Sequence, residues 1–320
     1  MTDSVSVADI GITCEDPQAS DPEVMEKVMS YAYSHYPAKK DYGLVLWGHG
    51  SGWIIEDHIV YHHETRGYGV DWGQNNDLSN WINIPTIKGI LEKMPHLRFI
   101  MGDCCNLMCL ETLYELRQTT DYVIGSTVEI PSNGALYDQI VPDMFADGEF
   151  WKGIVDKYFA AQRKSLPLSV VKTSEMDHVA TATRNVLPKV KEKIGNGYAD
   201  MMGSVHYYNL YKDVFKPEYN IFYDGGEFVM RNAPKADYEQ WKQTLDKAVI
   251  YKVNTQTKMW ATNKYWSTHY VDFTITDEKY HGVSMFVPQD PTTGYYSALN
   301  EKIKELSWYY AVGLEVLDKN

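Results

Sequence analysis

The chain has 320 residues, 44% of them hydrophobic and 23% charged, and a formal net charge of −13. That length supports one large domain or two smaller ones around a sizeable core. The acidic balance argues against nucleic-acid binding through a basic face, and no apolar run approaches the roughly twenty residues of a membrane span. The opening "MTDSVSVADIGITCEDP" has neither the basic start nor the long apolar stretch of an export signal.

Taken in chain order, the first predicted helix is "SDPEVMEKVMSYAYSHYP", with Asp21 as cap, Pro22 in the first turn and Pro37 as stop. Val24, Val28 and Tyr31 lie at helical spacing and predict its buried face. "YGLVLWGHG" reads as a buried strand, continuous rather than alternating, as in a parallel sheet. Residues 51–80 lack periodicity and predict a long loop. "IPTIKGILEKMP" is a helix and "LRFIMGD" a second buried strand. "CNLMCLETLYELRQTT" reads as a helix beginning at the cysteines, with Leu107, Leu110, Leu113 and Leu116 on one side. "DYVIGST" is a third strand, "NGALYDQIVPDMFAD" and "FWKGIVDKYFAAQRKS" are helical, and "LSVVKTSE" is a fourth strand. Such alternation predicts a parallel sheet with helices on both faces.

The pattern changes after residue 195, where the chain turns aromatic and loop-rich. "DYEQWKQTLDKAVIYKVNTQ" predicts a helix running into a strand, "GVSMFVPQDP" a strand ended by proline, and "ALNEKIKELSWYYAVGL" a closing helix. The expected division is 1–200 for an α/β core and 201–320 for an aromatic-rich α+β region packed on it.

Of four cysteines, Cys104, Cys105 and Cys109 fall within six residues, so they do not form a spaced disulfide framework. Cys104 and Cys105 are neighbours and cannot bridge each other without strain. Ligands of open parallel sheets bind beyond the carboxyl ends of the strands. His49 follows one predicted strand, and Asp103, Cys104 and Cys105 follow the next. If those strands are neighbours, an imidazole and a thiol share one rim, where the imidazole can take the thiol proton. A helix starting at the thiol would favour thiolate through its dipole. Backbone N–H groups beside Gly50 could hold an oxyanion. Asp103 has two readings, a helix cap or a carboxylate facing a ligand. Ser126 and Thr127 end the third strand on the same rim and are candidate pocket residues. His58, His62 and His63 are not spaced as a helical ligand pair, and no CxxC accompanies them.

"LVLWGHGSGW" followed by "DCCNLMCLE" resembles the clostripain family of cysteine peptidases, which are caspase-like. The family carries His-Gly after one strand, Asp-x-Cys after the next, and a Glu six residues past the Cys, here Glu111. "DYVIGSTVEIPSNGALYD", "TSEMDHV", "FYDGGEF" and "GVSMFVP…LSWYYAVGL" are similar to its later segments. The resemblance implies a three-layer αβα sandwich with a mainly parallel sheet and a C-terminal α+β extension. It implies an endopeptidase cutting after Arg or Lys, with Cys105 as nucleophile and His49 as general acid. Backbone N–H groups of Gly50 and Cys105 would form the oxyanion site, and Asp103 would meet the basic side chain. It also implies action on proteins or peptides outside the cytoplasm, and activation by a cut between His49 and Cys105, for which Arg66 is the candidate; a monomer is expected. No cofactor is expected, although some relatives need calcium. The family's first strand has no convincing counterpart here, and Cys104 stands where the family has a small residue such as Ala. Two rivals stand beside this reading: an inactive relative that binds peptides or surfaces, and a carbohydrate-contacting protein, suggested by 25 Tyr and 9 Trp.

Overall fold

Asp21 begins the first helix as its sequence predicts: the carboxylate accepts from the backbone N–H groups of Glu23 and Val24, and Pro22 occupies the first turn. The computed structural model describes residues 5–55, 68–71, 80–199, 201, 204–207, 221–255, 258–262, 268–271, 274–290, 292 and 296–318. The helix, α1, spans Pro22–His35 and buries Met29, whereas Val28 is exposed. The apolar stripe is therefore displaced by one residue from the predicted one, toward the methionines.

Strand β1 (Tyr42–Trp47) follows, then the short β2 (Tyr68–Asp71) and β3 (Asn80–Ile82). These two pair antiparallel inside a stretch predicted to be loop. Next come α2 (Ile84–Leu91), β4 (Leu97–Asp103), α3 (Leu110–Leu116), β5 (Thr120–Ser126), α4 (Tyr137–Met144), α5 (Phe150–Ala161), β6 (Leu168–Lys172) and α6 (Met176–Ile194). Beyond lie β7 (Tyr223–Asp224), α7 (Gly225–Asn232), α8 (Lys235–Ala248), β8 (Val249–Val253), β9 (Met259–Thr262), β10 (Thr268–Val271), β11 (Ser284–Met285), α9 (Tyr296–Lys302) and α10 (Ser307–Val312). The predicted closing helix is thus two helices, separated by a 3-10 turn at Ile303–Glu305.

The central sheet has the order β1-β4-β5-β6-β8. β1, β4 and β5 are parallel neighbours, and β6 is antiparallel to both β5 and β8. Four of its strands therefore run one way and β6 alone runs back, so the expectation that the fourth strand is parallel is corrected. The cause is the connection: two helices, α4 and α5, return the chain to the end where β5 finished, so Leu168 at the start of β6 pairs with Ser126. Helices α4 and α5 pack together on one face, where Phe150 meets Phe99 and Tyr122. On the other face α1, α2, α3 and α6 pack in succession, and α8 and α10 pack against α6. The result is a three-layer αβα sandwich, as expected.

The core is concentrated in β4 and β5, where Ile100, Met101, Val123 and Ile124 are buried. β1 instead pairs only with β4 among the described residues, and its side chains are half-buried or exposed. An edge strand has one flank uncovered, which is why its continuous apolar run does not translate into continuous burial. Two glutamates of α3 tie the C-terminal region to the sheet. Glu111 accepts the Phe286 N–H at 2.7 Å, and Glu115 accepts the Ser307 N–H at 2.6 Å.

Candidate active site

The register of β1 on β4 builds the rim. Trp47 lies opposite Asp103 in this parallel pair, so His49 and Cys105 each follow two residues later at the same end of adjacent strands. Gly48 makes the turn out of β1 with φ of 130°, a conformation that a side chain would strain, and its N–H donates to the Asp103 carbonyl at 3.3 Å. Gly50 then runs against the cysteines. A Cβ placed there would lie 2.7 Å from the Cys105 carbonyl oxygen and 3.3 Å from the Cys104 sulfur. Only a residue without a side chain allows the His-Gly loop to seat this closely on the Asp-Cys-Cys turn.

The short strand β2 holds that loop from the other side. Gly69 N–H donates to the His49 carbonyl at 2.9 Å, and Gly50 bridges Tyr68 in antiparallel sense. In such a pairing the residue between two hydrogen-bonded positions turns its own N–H away from the partner strand. The Gly50 N–H therefore points off β2 and takes no part in that pairing.

His49 is exposed, and its ring packs edgewise on Trp81 of β3, with centroids 6.1 Å apart. The Cys105 side chain is half-buried, and its sulfur accepts the Ile130 N–H at 3.2 Å. Burial, and next the Glu129 carboxylate, push the thiol up to about 12. The resting Cys105 is therefore a protonated thiol. This corrects the expectation of thiolate at a helix start, because α3 begins only at Leu110. Residues 104–109 form an irregular turn in which Asn106 has a positive φ, while the Asn106 and Met108 N–H groups donate to the Val128 and Ser126 carbonyls. Those bonds bind the segment to the chain beyond β5 and delay the helix.

Asp103 does not cap α3, whose N-cap position is Cys109. The carboxylate is buried and accepts three donors: Tyr158 hydroxyl at 2.5 Å, Tyr137 hydroxyl at 2.8 Å and Ala135 N–H at 3.0 Å. Burial and the Asp103 charge both raise the two phenols, which keeps them as donors. Gly134 passes so close that a Cβ there would sit 2.5 Å from Asp103 Oδ2.

Ser126 and Thr127 are fully buried. The Ser126 hydroxyl donates to the Pro167 carbonyl and accepts the Val128 N–H, so its side chain fastens the end of β5 rather than lining a pocket. Thr127 faces the interior near Tyr280. The strand end is right, but both side chains point into the core. Cys104 and Cys109 are packing thiols; the Cys109 sulfur donates to the Thr112 hydroxyl. Arg66, His58, His62 and His63 lie outside the described residues. Among the described residues no group of three or more His, Cys, Asp or Glu could hold a metal ion, and no helix is long and apolar enough to cross a membrane.

Sequence reasoning missed Trp81, Glu129, Tyr137 and Tyr158. Of these, Glu129 and Tyr137 lie within "STVEIPSNGALYD", a segment already singled out, while Tyr158 sits in a helix with no signal but its apolar periodicity.

The family model for the clostripain family matches residues 3–315. No curated protein sequence matches the chain. Among solved structures, a secreted cysteine protease from Bacteroides thetaiotaomicron, in complex with an irreversible peptide inhibitor, is 27% identical with a TM-score of 0.76, covering 93% of this chain and 79% of that one. An inactive zymogen protease from Parabacteroides distasonis is 29% identical with a TM-score of 0.74, covering 94% and 78%. A cysteine protease of B. fragilis is 25% identical with a TM-score of 0.63, covering 75% and 97%. With the His-Gly and Asp-x-Cys turns on adjacent strands of a caspase-like sandwich, and that match over nearly its whole length, this chain belongs to the clostripain family of cysteine peptidases.

Proposed function

We propose that the protein is an endopeptidase that cleaves after Arg or Lys, with Cys105 as nucleophile and His49 as its proton carrier. The observation that supports this is the parallel β1–β4 register, which brings the His49–Gly50 turn to the same sheet end as Cys104–Cys105 and seats Gly50 against them. His49 takes the proton of Cys105 as sulfur bonds to the scissile carbonyl carbon. The backbone N–H groups of Gly50 and Cys105 hold the resulting oxyanion. The C–N bond then breaks, the imidazolium returns the proton to the leaving amine, and a thioester remains. Water, deprotonated by His49, hydrolyses it and frees the thiol. Because the resting thiol is protonated, these transfers begin only when substrate is bound, and a loose pair in the free enzyme is compatible with the role.

The preference for a basic residue rests on Asp103 and Glu129. A carboxylate offers about four acceptor sites, and Asp103 has three donors in place, which leaves room for one from a guanidinium or ammonium group. Glu129 adds negative charge beside the nucleophile. The substrates are proteins or peptides. An extracytoplasmic setting is supported by the secreted relative from Bacteroides thetaiotaomicron.

A fluorogenic Arg or Lys peptide, with Cys105→Ala as control, tests the reading. Turnover by the wild type that disappears in the variant supports it. A well-folded wild type without turnover would leave a peptide- or surface-binding relative in its place.

A further inference from the structure

Catalytic imidazoles are ordinarily oriented by a hydrogen bond from one ring nitrogen to a carboxylate or carbonyl. Among the described residues His49 has no such bond; its ring meets Trp81, at 6.1 Å between centroids and an interplanar angle of 63°. The route by which Trp81 arrives there is a closed circuit. The His49 carbonyl accepts from Gly69 of β2, β2 pairs with β3 through Tyr68–Ile82 and Asp71–Asn80, and β3 returns Trp81 onto the His49 ring. The hairpin is anchored on both sides. Tyr68 is buried, its phenol raised first by burial and then by the Cys104 and Cys109 thiols, and Asp71 accepts the Ala19 N–H at 2.8 Å. One hairpin therefore holds the backbone of His49 and, one strand later, sets an aromatic ring edgewise against its imidazole.

We infer that Trp81 is a positioning residue for His49, taking by packing the task that a polar third group performs in a Cys-His-Asn arrangement. The indole wall removes part of the arc open to the exposed imidazole and so raises the share of the rotamers left to it. Without it the ring samples solvent-directed rotamers, and both proton transfers wait for the productive one.

This inference rests on the peptidase reading, and the test separates the two. Against an Arg amide substrate, Trp81→Ala should lower kcat about tenfold while KM changes less than about twofold, since a positioning loss is felt in the chemical step. Trp81→Phe, which keeps an aromatic wall, should retain most of the activity, and Trp81→Leu should lose it as Trp81→Ala does. A double-mutant cycle on an activated ester at alkaline pH, where a thiolate fraction forms without the imidazole, gives the decisive readout. Trp81→Ala should slow the wild type but leave His49→Ala unchanged within about twofold. If Trp81→Ala does not fold, Trp81→Leu takes its place in the cycle. Equal rates for wild type and the Trp81 variants, or the same slowing in the His49→Ala background, would overturn the positioning role. Inactivity of the wild type itself would overturn the peptidase reading instead.

Discussion

The Cys105 sulfur sits beside a carboxylate and under a backbone donor, and burial together with the carboxylate outweighs the donor. Alkylation of the free enzyme by iodoacetamide should accordingly be slow at neutral pH and climb steadily as pH rises. Glu129→Gln removes a charge that disfavours thiolate, so its alkylation should be several-fold faster at fixed pH. An unchanged rate would mean that the carboxylate does not act on the thiol. Asp103 faces three donors and has acceptor capacity for one more. Asp103→Asn should weaken cleavage after Arg by about 30- to 100-fold in kcat/KM, the worth of one charge-assisted bond. Cys104→Ala should cost far less. Kinetics of Asp103→Asn equal to wild type would remove it from the pocket. Glu111 presents a pH effect of its own. Burial raises its carboxyl to about 7 from an ordinary 4.5. The folded state thus prefers the protonated form. The stabilisation is complete below about pH 4.5 and is lost as pH rises through 7. Glu111→Gln should flatten this dependence, removing on the order of 3 kcal/mol of variation between pH 4 and 8. Denaturant midpoints at several pH values, compared between wild type and variant, give the measurement.

Among the elements, the turns carry more of the site than the strands. β1 ends at a glycine with φ of 130°, and Gly50 admits the cysteines to within contact. Both glycines could be suspected from "GHG", because close backbone approach is what such a sequence permits. The β2–β3 hairpin could not, since its strands are short and lack alternation. A second device lies in the C-terminal half. Asp224 caps α7 through the Glu227 N–H and also accepts the Tyr207 hydroxyl at 2.5 Å and both the backbone and ring nitrogens of His281, at 2.9 and 2.6 Å. Tyr238 closes the network on the other ring nitrogen of His281 at 2.9 Å. All four donors to Asp224 are buried with it, so Asp224→Ala should destabilise the protein by about 3–5 kcal/mol. Urea denaturation would read this directly, and a loss under about 1 kcal/mol would show that water replaces the carboxylate. Gly226 belongs to the same device: a Cβ there would stand 2.1 Å from the His281 ring.

At the scale of the whole molecule, the local code was legible wherever its signals were redundant. Asp21–Pro22 began a helix, apolar runs marked β4 and β5, and the His-Gly and Asp-x-Cys turns pointed to one rim. What misled was context. Leu107 looked like the first turn of a helix but packs against Gly102 and Gly125, because residues 104–109 are hydrogen-bonded to the strand end opposite. The sequence by itself determined the alternation of elements, the cysteines' unsuitability for a disulfide framework, and the pairing of imidazole and thiol chemistry, all of which follow from periodicity, spacing and residue type. Only the tertiary structure decided the reversal of β6, the inward turn of Ser126 and Thr127, the tyrosines on Asp103, and the placing of Trp81 on His49. Each of those depends on which distant segment arrives at a given surface, and contacts between residues far apart in the chain leave no local pattern to read.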